Sequence, residues 1–280
     1  MNPPSAQAMT SDPSVVDAAV RFCDDVLASP TVELLKPRES YSPYNKKGII
    51  KSLISGVDKT VTIPIANPAG AKVLSLVIDI PEYDVWHGSI VTAEGTCVAR
   101  VDGRVHEGWA KKHVDAWPPV PIEWGGARFG EVHDTHRENG CPACCPCPAC
   151  CPAFRPVDVL HSGRGVIPFA RGPGDRICFD SVEAHPIKVM ISKSGLACLP
   201  FGGCMSIWTV CFPQVNLFKD SAGEKVIGKR VSTRRGCLPT DLIPSVLHFE
   251  DMTSEQRRLA LVLVMYTMAQ FLCEKPDGGG

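Results

Sequence analysis

Six of the chain's 14 cysteines fall in one run, CPACCPCPACC, from Cys141 to Cys151. Cys141, Cys144, Cys145, Cys147, Cys150 and Cys151 therefore place six nucleophilic sulfurs in eleven residues. Three chemistries use such density: metal ligation, disulfide closure and thioester acylation. Ligand spacing exists for zinc, because Cys141-x2-Cys144 and Cys147-x2-Cys150 are CxxC pairs. His133 and His136 just upstream would complete a His₂Cys₂ set with Cys141 and Cys144. The two pairs are separated by only two residues, however, whereas a single structural zinc draws its pairs from separate elements. Acylation needs only exposed thiols near a bilayer. Each buried methylene contributes about 0.8 kcal/mol, so two or more acyl chains attach stably where one is marginal. Isolated Cys23, Cys178 and Cys273 read instead as ordinary core cysteines.

A second cluster is cationic. The stretch GKRVSTRRG holds Lys229, Arg230, Arg234 and Arg235 in a chain whose net charge is −1. Near an anionic leaflet each cation contributes about 1 kcal/mol, which makes this a candidate headgroup patch. A solvated strand face is the other reading. Hydrolase and nucleotide chemistry are not indicated, since GxSxG, P-loop and HExxH motifs are all missing. The glycine-bearing GARFG and GRGVIPFARGPG stretches read as loops. Histidines 87, 106, 113, 161, 185 and 248 are scattered without a partner motif.

These residues need elements to hold them. With 44% hydrophobic and 21% charged residues, the 280-residue chain has the composition of a folded protein. The N-terminus lacks the basic and apolar regions of a secretory signal, which predicts a reducing compartment and few disulfides. VVDAAVRFCDDVLASP, from Val15 to Pro30, has helical apolar spacing ended by proline. Beyond it, short alternating segments dominate. NPAGAKV, TAEGTCV and DSAGEKV each place a polar residue three positions before a glycine and a valine three after, between strand-like flanks. This is the spacing of hairpin turns, in which glycine supplies a positive φ.

The final segment, MTSEQRRLALVLVMYTMAQFLCEKP, differs. Thr253 or Ser254 is a candidate N-cap with Glu255 and Gln256 in the first turn. From Leu259 to Cys273 it is apolar on nearly every side, so something must surround it. Fifteen residues fall short of the roughly 20 that span a bilayer core. The reading is a helix buried within β-structure.

In order and content these segments resemble the phospholipid scramblase family of the tubby C-terminal-like superfamily. VELLKP is similar to that domain's opening, VTIPIANPAGAKVLSLVID and GSIVTAEGTCVARVDGRV to its first hairpins, and LHFEDMTSEQRRLALVLVMYTMAQFLCEK to its end. The resemblance covers residues 31–275, after a partly disordered segment 1–30 with a helix and before a tail at 276–280. It implies a mainly β fold: a closed antiparallel tubby-like barrel around a central hydrophobic C-terminal helix. It also implies a palmitoylated cysteine run, which favours acylation of the six thiols over zinc. Phospholipid handling on the cytoplasmic side of a membrane, with anionic lipid as partner, follows from the same resemblance; the alternatives are a tubby-like lipid-binding or adaptor module without transport activity and a zinc-stabilised interaction protein. The basic segment corresponds to one associated with nuclear import, which would place unacylated protein in the nucleus. Two departures stand out. The family's acidic calcium loop is thin, because only Asp241, Glu250 and Asp251 remain, where calcium wants about six to eight oxygens. PPVPIEWGGARFGEVHDTHRENG, before the cysteines, reads as part of an insertion around residues 118–156.

Overall fold

The computed structural model describes residues 12–37, 59–82, 85–104, 117–136, 166–180, 215–222, 225–232 and 244–273. Among the described residues, twelve antiparallel strands close into a barrel and two helices complete it. The strands are β1 (Thr31–Leu34), β2 (Lys59–Ala66), β3 (Lys72–Glu82), β4 (Val85–Thr92), β5 (Cys97–Arg104) and β6 (Val120–Trp124). They continue as β7 (Ala127–His136), β8 (Val166–Arg171), β9 (Arg176–Asp180), β10 (Val215–Lys219), β11 (Val226–Ser232) and β12 (Ser245–His248). Each pairs with its neighbours in sequence. β1 closes the ring by pairing with β12, Val32 opposite Leu247. Closure leaves no edge strand to be protected.

The three expected hairpin turns join β2 to β3, β4 to β5 and β10 to β11. Gly70 and Gly95 have φ of 80° and 90°, a region that costs glycine nothing. The polar residue ahead of the glycine closes each turn: Ala71 N donates to Asn67 Oδ1 at 3.0 Å, and Thr96 N to Thr92 Oγ1 at 3.3 Å. In the third, Lys225 N donates to Asp220 Oδ1 at 3.3 Å.

Strands also form in two regions where the sequence reading placed none. The stretch read as insertion supplies β6 and β7, joined by Gly125 and Gly126 at φ 61° and 76°. Two positive φ values in a two-residue loop match the twist of a tight hairpin. The GARFG and GRGVIPFARGPG stretches, read as loops, contribute to β7 and to the β8–β9 hairpin.

Alternation fixes which side chains point inward. On β4 Trp86 and Ile90 are buried while His87 and Ser89 lie on the outer wall. The interior is filled by α2 (Ser254–Cys273). Thr253 caps it in a reciprocal box: Gln256 N donates to Thr253 Oγ1 at 3.1 Å, and Thr253 N to Gln256 Oε1 at 3.0 Å. Every residue from Leu259 to Met265 is fully buried. The helix packs on β3, β4 and β5 along one stretch of wall and on β8 and β9 along another. Fully burying a Leu, Val or Met side chain contributes about 1.5–3 kcal/mol, so α2 supplies a large share of the core energy alongside the inward faces of the strands. No helix among the described residues is long and apolar enough to cross a membrane.

The first helix, α1 (Pro13–Ala28), begins at Asp12, whose side chain accepts from Ser14 N, and lies over one rim of the barrel. Its Ala19, Cys23, Val26 and Leu27 are buried.

Candidate functional site

The barrel has two unlike rims. Five tight turns, β2–β3, β4–β5, β6–β7, β8–β9 and β10–β11, lie at one end, together with α1 and the entry to α2. Glu255 ties α2 to that end: its Oε1 accepts from Gly174 N and Asp175 N, each at 2.9 Å. At the other end lie the short β3–β4 turn and the connections β1–β2, β5–β6, β7–β8, β9–β10 and β11–β12, and α2 runs toward them. Gln270 Nε2 donates there to the carbonyl of Arg104, the last residue of β5, at 3.1 Å.

The connection that carries the cysteine run starts and ends at the second rim. His136 pairs with Val166 as β7 and β8 leave the sheet, and Cys141–Cys151 falls in the chain between them, outside the described residues. Arg234, Arg235 and Asp241 fall between β11 and β12, also outside the described residues but joined to the same rim.

The described members of the basic stretch part company. Lys229 Nζ meets Glu250 Oε1 at 3.0 Å on the outer surface. Arg230 is only 4% exposed and its Nε donates to Ser245 Oγ at 2.9 Å. Strand alternation turns its guanidinium inward, so Arg230 is no part of an exposed patch. Of the calcium candidates, Glu250 holds Lys229, and Asp251 Oδ2 holds Lys225 Nζ at 2.9 Å. Both carboxylates are thus committed to lysines in the turn before α2. Among the described residues no group of three or more His, Cys, Asp or Glu is arranged for a metal. Of the zinc alternative, His133 Nε2 donates to Glu131 Oε1 at 2.8 Å, while the His136 side chain, Cys141 and Cys144 are outside the described residues. Cys23, Cys97 and Cys178 form no disulfide.

His133 instead belongs to a cleft that the sequence did not suggest. A cavity of about 440 Å³ opens on the outer wall near the tight-turn rim, lined by His133, Phe169, Arg171, Arg176 and Ser221. Two adjacent cross-strand ladders build it. His133, Phe169 and Cys178 form one row across β7, β8 and β9; Glu131, Arg171 and Arg176 form the next. The imidazole stacks parallel on Phe169 at 4.8 Å, and the Arg176 guanidinium lies 3.9 Å from the same ring centre. Glu131 is held below the usual carboxylate range, first by the His133 hydrogen bond and then by the charges of His133, Arg128 and Arg171. Only the register of β8 on β9 sets Arg171 opposite Arg176; the RGPGDR turn between them was the available signal.

Compared with protein-family models, curated proteins and solved structures, the chain finds no match.

Proposed function

We propose that this protein is a membrane-attached, scramblase-like domain that binds or handles phospholipid, held to the cytoplasmic face of a bilayer by acylation of Cys141–Cys151. The observation that carries the reading is the polarity of the barrel. The connection bearing all six cysteines and the connection bearing Arg234 and Arg235 leave from one rim. Acyl chains inserting from that rim bring its arginines to the leaflet, where anionic headgroups attract them. The barrel filled by its own C-terminal helix is the architecture that the tubby-like resemblance implies, which further supports the reading.

Where β4 and β5 are described, the outer wall is polar. Arg100, Asp102 and His87 form a charged group there, with His87 Nδ1 2.8 Å from Asp102 Oδ1. A transmembrane barrel presents apolar residues at such positions. The proposed attachment is therefore end-on, by anchors, with the barrel beside the bilayer. Replacing all six cysteines of the run with Ala should move the protein from membrane to soluble fractions, and hydroxylamine treatment of wild type should do the same. Unchanged partitioning, or stoichiometric zinc in the purified protein, would refute the anchor. Lipid exchange between leaflets of reconstituted vesicles separates transport from simple binding.

A further inference from the structure

We infer that the outer-wall cleft between β7, β8 and β9 is a binding site for a phosphomonoester. Arg171 and Arg176 are direct cross-strand partners at the last pair of the β8–β9 hairpin. Like charges placed opposite one another destabilise a hairpin, and an unbridged pair of cations is a poor choice for a turn. The Nε of Arg176 is buried and finds no acceptor among the described residues. A buried guanidinium N–H without an acceptor costs free energy that a bound anion would return.

Glu131, opposite Arg171 across the β7–β8 ladder, is a carboxylate whose charge Arg171 feels, and it is shared among several basic groups. Glu131 accepts from His133 at 2.8 Å and lies 3.4 Å from Arg128. Phe169 lies beneath Arg176 and orients the guanidinium, since a flat cation over an aromatic face is attracted to it. What remains is two forked donors, an imidazole and the hydroxyl of Ser221 around one space. A carboxylate would satisfy one guanidinium. A phosphate monoester carries close to two charges and three terminal oxygens, enough to bridge both arginines and still accept from Ser221. The volume, about 440 Å³, leaves room for a small organic group on the ester oxygen.

The site lies near the tight-turn rim, at the opposite end of the barrel from the cysteine connection. It therefore does not depend on membrane attachment and favours a soluble ligand, although a phosphomonoester lipid offers the same group. The experiment titrates full-length protein with inorganic phosphate and glycerol 3-phosphate by calorimetry, and with vesicles containing phosphatidic acid by co-sedimentation. Saturable binding should weaken about tenfold in Arg171→Gln and again in Arg176→Gln, the loss of one charged hydrogen-bonding group each. Arg171 is exposed, so that variant folds; Arg176→Lys keeps the charge without the fork and should fall between. Soluble phosphates displacing nothing from vesicles that do bind through these arginines would make the ligand a lipid, still a phosphomonoester. No saturable binding of any of the three probes, or wild-type binding in the Arg171→Gln and Arg176→Gln proteins, would overturn the site.

Discussion

Arg257 Nη1 donates to the carbonyl of Leu27 at 2.6 Å, joining the last helix to the first across 230 residues of chain. The same nitrogen reaches Ala28 O at 2.8 Å and Ser29 O at 3.3 Å. These carbonyls end α1, where a helix has acceptors without partners and a negative dipole end. Next to it, Arg258 Nε donates to Asp24 Oδ1 at 2.7 Å, and its Nη2 pairs with the other carboxylate oxygen. Arg258 also lies over Trp124, 5.3 Å from the ring centre. Two consecutive arginines thus latch α1 over the tight-turn rim.

Arg257→Ala should therefore cost about 2 kcal/mol in urea unfolding, the scale of charged hydrogen bonds lost together. Arg257→Lys should recover part of it. Because α1 also hides Cys23, native-state alkylation of that thiol should be faster in the Ala variant. Unchanged labelling would mean that α1 is held by its apolar face alone.

Burial, aided by the nearby Asp24 carboxylate, pushes the Cys23 thiol from the usual 9.0 up to about 12. The thiol is neutral in the folded protein at pH values where the unfolded one ionises. Its contribution to stability is whole below pH 9.0 and is lost as pH rises toward about 12. Wild type should lose more melting temperature than Cys23→Ala between pH 8.5 and 10.5 (roughly the accessible part of that window). Parallel curves for the two proteins would show that Cys23 ionises as it does in the unfolded chain.

The parts of this fold that were legible in the sequence are local. Asn67, Thr92 and Asp220 announce their turns because the residue that closes each turn is its near neighbour. The capping box and the apolar run of α2 are likewise contiguous. The strands β6 and β7 do not announce themselves although WGGA is a strong two-residue hairpin signal, because they carry Glu123, Arg128 and Glu131 on their outer face. A polar outer face looks like a loop until its inner partners, Ile122 and Val132, are seen to share a side. Closure by β1 on β12 and the latch on α1 join the two ends of the chain, and no spacing rule reaches that far. The arginine cleft was hidden for the same reason: its residues become neighbours only through strand register.

Two inward glycines make different room. A Cβ on Gly103 would sit 2.3 Å from Cζ2 of Trp86, its cross-strand partner, whereas a Cβ on Gly88 would meet Met265 Sδ at 3.0 Å. The indole is rigid and fully buried; the thioether bends. Gly103→Ala should cost about 1–3 kcal/mol by overpacking, and Gly88→Ala less than about 1 kcal/mol. Adding Trp86→Phe should recover stability in the first variant. A larger loss at Gly88 would show that α2 is seated too tightly for Met265 to yield.

The strongest demand falls on α2 itself. Leu259, Leu261, Val262, Leu263, Val264 and Met265 are each 0% exposed within the strands. At about 1.5–3 kcal/mol apiece, their burial matches the whole net stability of an ordinary domain, about 5–15 kcal/mol. A barrel of this size cannot collapse onto the space they leave, because its walls are fixed by their own hydrogen-bond register. Deleting residues 259–280 should therefore abolish the cooperative melt and the β circular dichroism. In the full chain, Val262→Asp should do nearly the same, since a lone carboxylate there has no water and no partner. A helix that served as an external anchor would behave otherwise: the truncated protein would stay folded, and Val262→Asp would alter only partitioning. Recovery of a folded truncated barrel would show that the strands have a core of their own and that α2 is not what they close around.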